Sequence, residues 1–89
     1  MEIIIIKMKE VKGKLYRPMD NSHIKRLDNN TNGMLSGVCC EIISEPYVKT
    51  IKEVGIEPYI VMMVDVRSKL TDIEYSVLWY EEWVIDDSN

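Results

Sequence analysis

Phenylalanine is absent from this chain of 89 residues, histidine occurs once, and the only two cysteines, Cys39 and Cys40, are adjacent. Each scarcity removes a class of chemistry. Consecutive residues lie about 3.8 Å apart at Cα and on a strand point to opposite faces, so Cys39 and Cys40 make no disulfide framework. With one histidine and no CxxC pair they supply no metal set, and both are expected to be small apolar residues on a strand. His23 follows Ser22 in a turn-rich stretch with Asp20 and Asp28 nearby. A catalytic triad needs its base held by an acid and aimed at a nucleophile across a pocket, so a solvent-exposed turn histidine is expected instead. Phosphate-cradling glycine patterns are missing, and no glycine accompanies Glu81, Glu82, Asp86 and Asp87 as a calcium loop requires. The longest aliphatic run, Ile3 to Ile6, is four residues. A bilayer span needs roughly 18 to 20 and a signal core about 7 to 15. The expectation is a cytoplasmic protein with no enzymatic activity, no cofactor, no metal and no membrane partner.

The material that is present fits one domain over residues 1–89, with 46% hydrophobic and 29% charged residues. A chain of this size buries only about 60–65% of its unfolded surface, so stability rests on a few large side chains. Four of the seven aromatic residues, including both tryptophans, fall in EYSVLWYEEW, residues 74–83. Residues 73–80 alternate, with Tyr75, Val77 and Trp79 on one face and Ser76, Leu78 and Tyr80 on the other, as a strand requires. YIVMMVDVR (59–67) is apolar on both parities until Asp65 and reads as a central strand covered on both sides for much of its length. The polar turn Ser68–Asp72 joins the two into a hairpin. MLSGVCCEII (34–43) is a further strand, with Val38, Cys40 and Ile42 on one face and a bend at Gly37, opened by the turn cluster DNNTNG (28–33). EIIIIKMK and KLYR (14–17) add short strands at the front.

Between them, 44–58 is ambiguous. Val48, Ile51 and Val54 at near-helical spacing, with Ser44 as a cap and Gly55 after the end, suit a short helix over 46–54. The β-branched content of the same stretch suits an extended ribbon or ordered loop equally. The fold class is therefore mainly β, a small barrel or strongly bent sheet of five to six short strands with at most one short helix.

The run Gly37-Val38-Cys39-Cys40-Glu41-Ile42-Ile43, a loop, a hydrophobic strand, and then Tyr75-Ser76-Val77-Leu78-Trp79 resembles the small SH3-like β-barrel proteins of tailed bacteriophages. Trp83, Val84, Ile85, Asp86 and Asp87 stand where that family closes its barrel with a tryptophan and an acidic end. The resemblance covers roughly residues 13–87 and implies an SH3-like, partly open barrel in a phage accessory or virion-assembly protein, sited in the host cytoplasm or the virion. Residues 1–12, with their extra strand EIIIIK, have no counterpart there. An additional hydrophobic strand on a small barrel pairs with its own sheet or another copy's, so Ile3, Ile4, Ile5 and Ile6 are candidates for self-association.

Three functions follow as expectations. The first is a protein-interaction module, with Tyr80, Glu81, Glu82 and Trp83 as the contact surface, because Tyr75 and Trp79 belong to the core face. The second is nucleic-acid binding through Lys14, Tyr16, Arg17, Lys25 and Arg26, a basic strip holding one aromatic. Residues 1–26 carry seven bases against three acids, whereas the remainder carries four against twelve. An overall pI near 4.9 opposes the nucleic-acid reading. The third is acidic inhibition of a host protein by that carboxylate-rich remainder.

Overall fold

The computed structural model describes residues 10–85. They form one antiparallel sheet of seven strands: β1 (Leu15–Tyr16), β2 (Lys25–Arg26), β3 (Cys40–Ile42), β4 (Tyr47–Glu53), β5 (Ile56–Ser68), β6 (Glu74–Leu78) and β7 (Val84–Ile85). A 3₁₀ turn, Glu81–Trp83, separates the last two. The order is β2-β6-β5-β3-β1-β7, and β4 branches off this path by pairing with β5. The ladder does not close, so the protein is mainly β, a small and partly open barrel. Among the described residues no helix is long and apolar enough to cross a membrane.

The alternation expected in β6 is realised. Tyr75 and Val77 are buried, Trp79 packs against the same core, and Val64, Val66, Cys40, Ile42, Ile24, Leu35 and Val11 complete it. At about 1.5–3 kcal/mol per fully buried large apolar side chain, this cluster is the main source of stability. The β5–β6 hairpin registers Val64 on Val77 and Val66 on Tyr75 across the turn at Ser68–Asp72, also as expected. Cys40 and Ile42 face the core with Val38 packed beside them, and both cysteines are free.

Two expectations are corrected and one open alternative is decided. The strand over 34–43 is confined to Cys40–Ile42, because Leu35–Val38 is a tight turn. Gly37 takes the positive φ of 80° that an L side chain adopts only at a cost, and its N–H donates to the Pro18 carbonyl at 2.7 Å. The Asn21 side-chain carbonyl accepts from the N–H groups of both Leu35 and Ser36 at 2.8 Å, satisfying donors that a ladder would otherwise take. Of the alternatives open for 46–54, the structure takes the extended ribbon rather than the short helix: this is strand β4, turned into β5 by Val54–Gly55, with Gly55 at φ 83°. That raises the strand count above the five to six anticipated. Finally, β5 is covered on both faces only in its second half; Met63 and Val64 are both wholly buried, whereas Ile60 is 69% exposed.

The β4–β5 hairpin is thus an arm that outreaches the sheet. Its ladder runs from Tyr47↔Met63 to Glu53↔Ile56, while β6 accompanies β5 only from Met63 to Arg67. Near the tip the register shifts so that Glu57 and Pro58 stand opposite the single Lys52. Proline has no N–H to donate, and the interruption in the ladder is where it fits.

Candidate functional site

The two faces of the arm differ in cover. Tyr47, Lys49, Ile51, Tyr59 and Val61 are half-buried, and Met63 at the base is fully so. Part of that cover is the loop before β2. His23, held at φ 60°, meets the Tyr59 ring edge-on with centroids 6.2 Å apart. His23 is therefore half-buried against an aromatic ring rather than a free turn residue. The opposite face continues the plane of Val64 and Val66 beyond the core, and there Val48 is 60%, Ile60 69% and Met62 38% exposed. The register sets Val48 beside Met62 and Thr50 beside Ile60, so these side chains make one continuous apolar strip.

The arm is rooted by a polar cluster on its covered face. The Tyr47 hydroxyl donates to Asp65 Oδ1 at 2.6 Å, and the Asp65 N–H donates to Ser44 Oγ at 2.9 Å. Burial first, then the Asp65 carboxylate, pushes the Tyr47 phenol well above its ordinary range, so it stays a donor. Beside it, Arg67 lies between its two cross-strand partners, 2.7 Å from Glu74 and 3.4 Å from Glu41.

The aromatic cluster of 74–83 is built around Tyr16, which neither periodicity nor composition marked as central. Tyr16 is fully buried. Its hydroxyl donates to the Leu78 carbonyl at 2.7 Å and accepts from the Tyr80 N–H at 2.8 Å, tying β1 to the end of β6. Its ring stacks on Trp79 at 5.7 Å and an interplanar angle of 11°, and meets Trp83 at 6.0 Å. Burial is the main reason its phenol is held far above the usual tyrosine range. Trp83 packs against the core as well. Of the contact surface expected at Tyr80, Glu81, Glu82 and Trp83, the structure leaves Tyr80 (42% exposed) and the two glutamates outward and gives Trp83 largely to the barrel wall.

The basic strip is not assembled as the nucleic-acid reading required. Tyr16, its one aromatic, has no surface on which a base could stack. Lys14 and Arg17 are exposed beside β1, whereas Lys25 and Arg26 form β2, separated from β1 along the ladder by β6, β5 and β3. Lys25 donates to Asn32 Oδ1 at 2.6 Å, and Arg26 grips Asp28 through two nitrogens at 2.7 and 3.0 Å. That hydrogen bond raises the Arg26 guanidinium and lowers the Asp28 carboxyl from their ordinary values. Ile3, Ile4, Ile5 and Ile6 lie outside the described residues.

Among the described residues no group of three or more His, Cys, Asp or Glu is placed to hold a metal ion. Cys40 is buried on β3, and burial, with Cys39 next to it, pushes its thiol up to about 11, which makes it a packing residue and a poor nucleophile. The exposed strip on the arm is the feature that sequence reasoning missed. The signal available for it was the Val54–Gly55 turn with β-branched residues on both sides. No protein-family model matches this chain, and no curated protein or solved structure shows significant similarity to it.

Proposed function

We propose that this chain is a non-enzymatic protein-interaction module that works through the β4–β5 arm, in the accessory or virion-assembly role implied by its resemblance to phage SH3-like barrels. The observation that carries the reading is the apolar strip Val48, Ile60 and Met62, held out beyond the core on a rooted hairpin. Scattered exposed aliphatics on a protein surface need no explanation, but a contiguous strip on a projecting element does. Full burial of each of these side chains in an interface is worth about 1.5–3 kcal/mol, so the strip can anchor a complex. Tyr80, Glu81 and Glu82 are a second outward surface, and their charge favours a basic partner region.

The test is a pull-down from host and phage-infected lysate with the wild-type chain and with Val48→Asp, each checked for its thermal midpoint and solution mass. Protein association, with self or other, that Val48→Asp abolishes without lowering the midpoint by more than about 1 kcal/mol is the expected result. Equal association by both chains, or retention of the wild type on a single-stranded DNA or heparin column at moderate salt, would overturn it.

A further inference from the structure

Among the described residues β4 pairs with β5 along one edge and with nothing along the other, so a row of backbone N–H and C=O groups from Tyr47 to Glu53 faces outward. An edge of this kind is a template for another strand. We infer that the strand it takes is β4 of a second copy, paired antiparallel about a twofold axis at Ile51. The inference rests on the reading of the arm as a contact surface, and it names the partner.

The choice of partner comes from the side chains along the edge. In an isologous antiparallel pair each residue meets its mirror about the axis. With the axis at Ile51, Lys49 of each copy lies opposite Glu53 of the other, so both charge pairs are complementary. Ile51 meets Ile51, and Val48 meets Val54 of the second copy. Moving the axis to Thr50 sets Lys49 against Ile51 and Val48 against Lys52. Moving it to Lys52 sets Lys49 against Gly55 and Ile51 against Glu53. Only the register at Ile51 pairs unlike charges and like aliphatics together, and cross-strand neighbours of these kinds are the ones that stabilise a sheet.

The existing ladder extends the match. Tyr59 is opposite Ile51 and Met62 is opposite Val48 within one copy. Joining the edges therefore produces a row Tyr59, Ile51, Ile51, Tyr59 on the covered face. On the bare face the row runs Met62, Val48 and then Val54 from the turn of the second copy, which gives Val48 an apolar neighbour on its open side. Lys49 also discriminates: with the axis at Val48, Lys49, Thr50 or Lys52 its charge meets Tyr47, its own mirror, Ile51 or Gly55, so a lysine that blunts random pairing admits this one. An interface of one strand and its neighbours falls at the small end of specific interfaces, so the dimer is expected to dissociate on dilution.

Charge reversal tests the register. Solution mass is measured by sedimentation at about 50 µM, a concentration at which small specific interfaces of this kind remain associated. Wild type is expected at twice the chain mass of 10.4 kDa. Lys49→Glu and Glu53→Lys are each expected to weaken association about tenfold or more, since each sets like charges opposite one another twice. The double reversal Lys49→Glu/Glu53→Lys is expected to restore it. Thermal midpoints of all variants, read at low concentration where every chain is monomeric, check folding. A wild-type mass of one chain, a dimer indifferent to either single reversal, or a double variant that stays monomeric would overturn the inference. So would a dimer lost only when residues 1–7 are deleted, because the Ile3–Ile6 segment would then be the occupant. A monomeric wild type that still loses a foreign protein partner on Val48→Asp would reject this dimer and leave the proposed function standing.

Discussion

Met62 and Met63 are neighbours in one strand, yet Met62 is 38% exposed and Met63 is wholly buried. They take opposite faces, the bare and the covered, at the point where β5 passes between two regions of similar composition. From Met63 to Ser68 the strand has β6 on one side and β3 or the base of β4 on the other, with the Tyr16-centred core under its even-numbered face. From Ile56 to Met62 it has only β4 beside it, and its aliphatic side chains meet solvent. Apolar character in the first region holds the fold together. In the second the even-numbered side chains have no core to cover them, and on that the proposed binding role of the arm rests.

The comparison is broken most forcefully at Tyr16. Tyr16→Ala removes a buried ring stacked on Trp79 and both of its hydrogen bonds, and is expected to cost about 3–5 kcal/mol, a large share of a margin of roughly 5–15. Chemical denaturation would show it as a large fall in midpoint or as a chain that does not fold. Met63→Ala follows at about 2–5 kcal/mol, while Met62→Ala, one residue away, is expected to cost only about 1 kcal/mol when measured as a monomer. Equal losses at the two methionines would erase the boundary drawn between the regions.

Alkaline pH sharpens the same contrast, because the raised groups sit in the body and at the arm's root. Cys40, Tyr47 and Tyr16 have folded-state values above their ordinary ones, Cys40 at about 11 against 9.0. Groups raised in this way contribute stability that is fully present below their unfolded values and is lost as pH rises toward their folded ones. Denaturation midpoints are therefore expected to be insensitive to these three groups below about pH 8 and to fall from about pH 9 upward, with Cys40→Ala flattening the first part of the fall. The smallest effect belongs to the surface triad. Arg67→Ala breaks ion pairs whose side chains are each about 40% exposed, and is expected to cost no more than about 1 kcal/mol, less at high salt.

How much of this was legible in the sequence follows from the same division. Tyr75, Val77 and Trp79 alternate because β6 has a core beneath one face, and a covered face writes a period of two into its strand. The arm writes no such period. Val48 and Ile51 stand three apart, as on a helix, because they lie on opposite faces of a strand whose exposed side is not required to be polar. Tyr16 was assigned to the surface because KLYR is too short to reveal a face, and its position is set by long-range partners at Leu78, Tyr80 and Trp79. Likewise the truncation of the 34–43 strand depends on Asn21, whose side chain reaches the backbone of Leu35 and Ser36 from a distant turn. No local pattern encodes such a contact. The apolar arm could be found only by asking where β-branched residues end up when no core remains to receive them.

The most direct test of the division between a stabilising body and a binding arm is one variant measured two ways. Val48→Asp, which lies both in the apolar strip and on the open edge of β4, is expected to keep the wild-type denaturation midpoint at low concentration, within about 1 kcal/mol, and to abolish association at about 50 µM. A variant that unfolds, or one that associates as the wild type does, would contradict it.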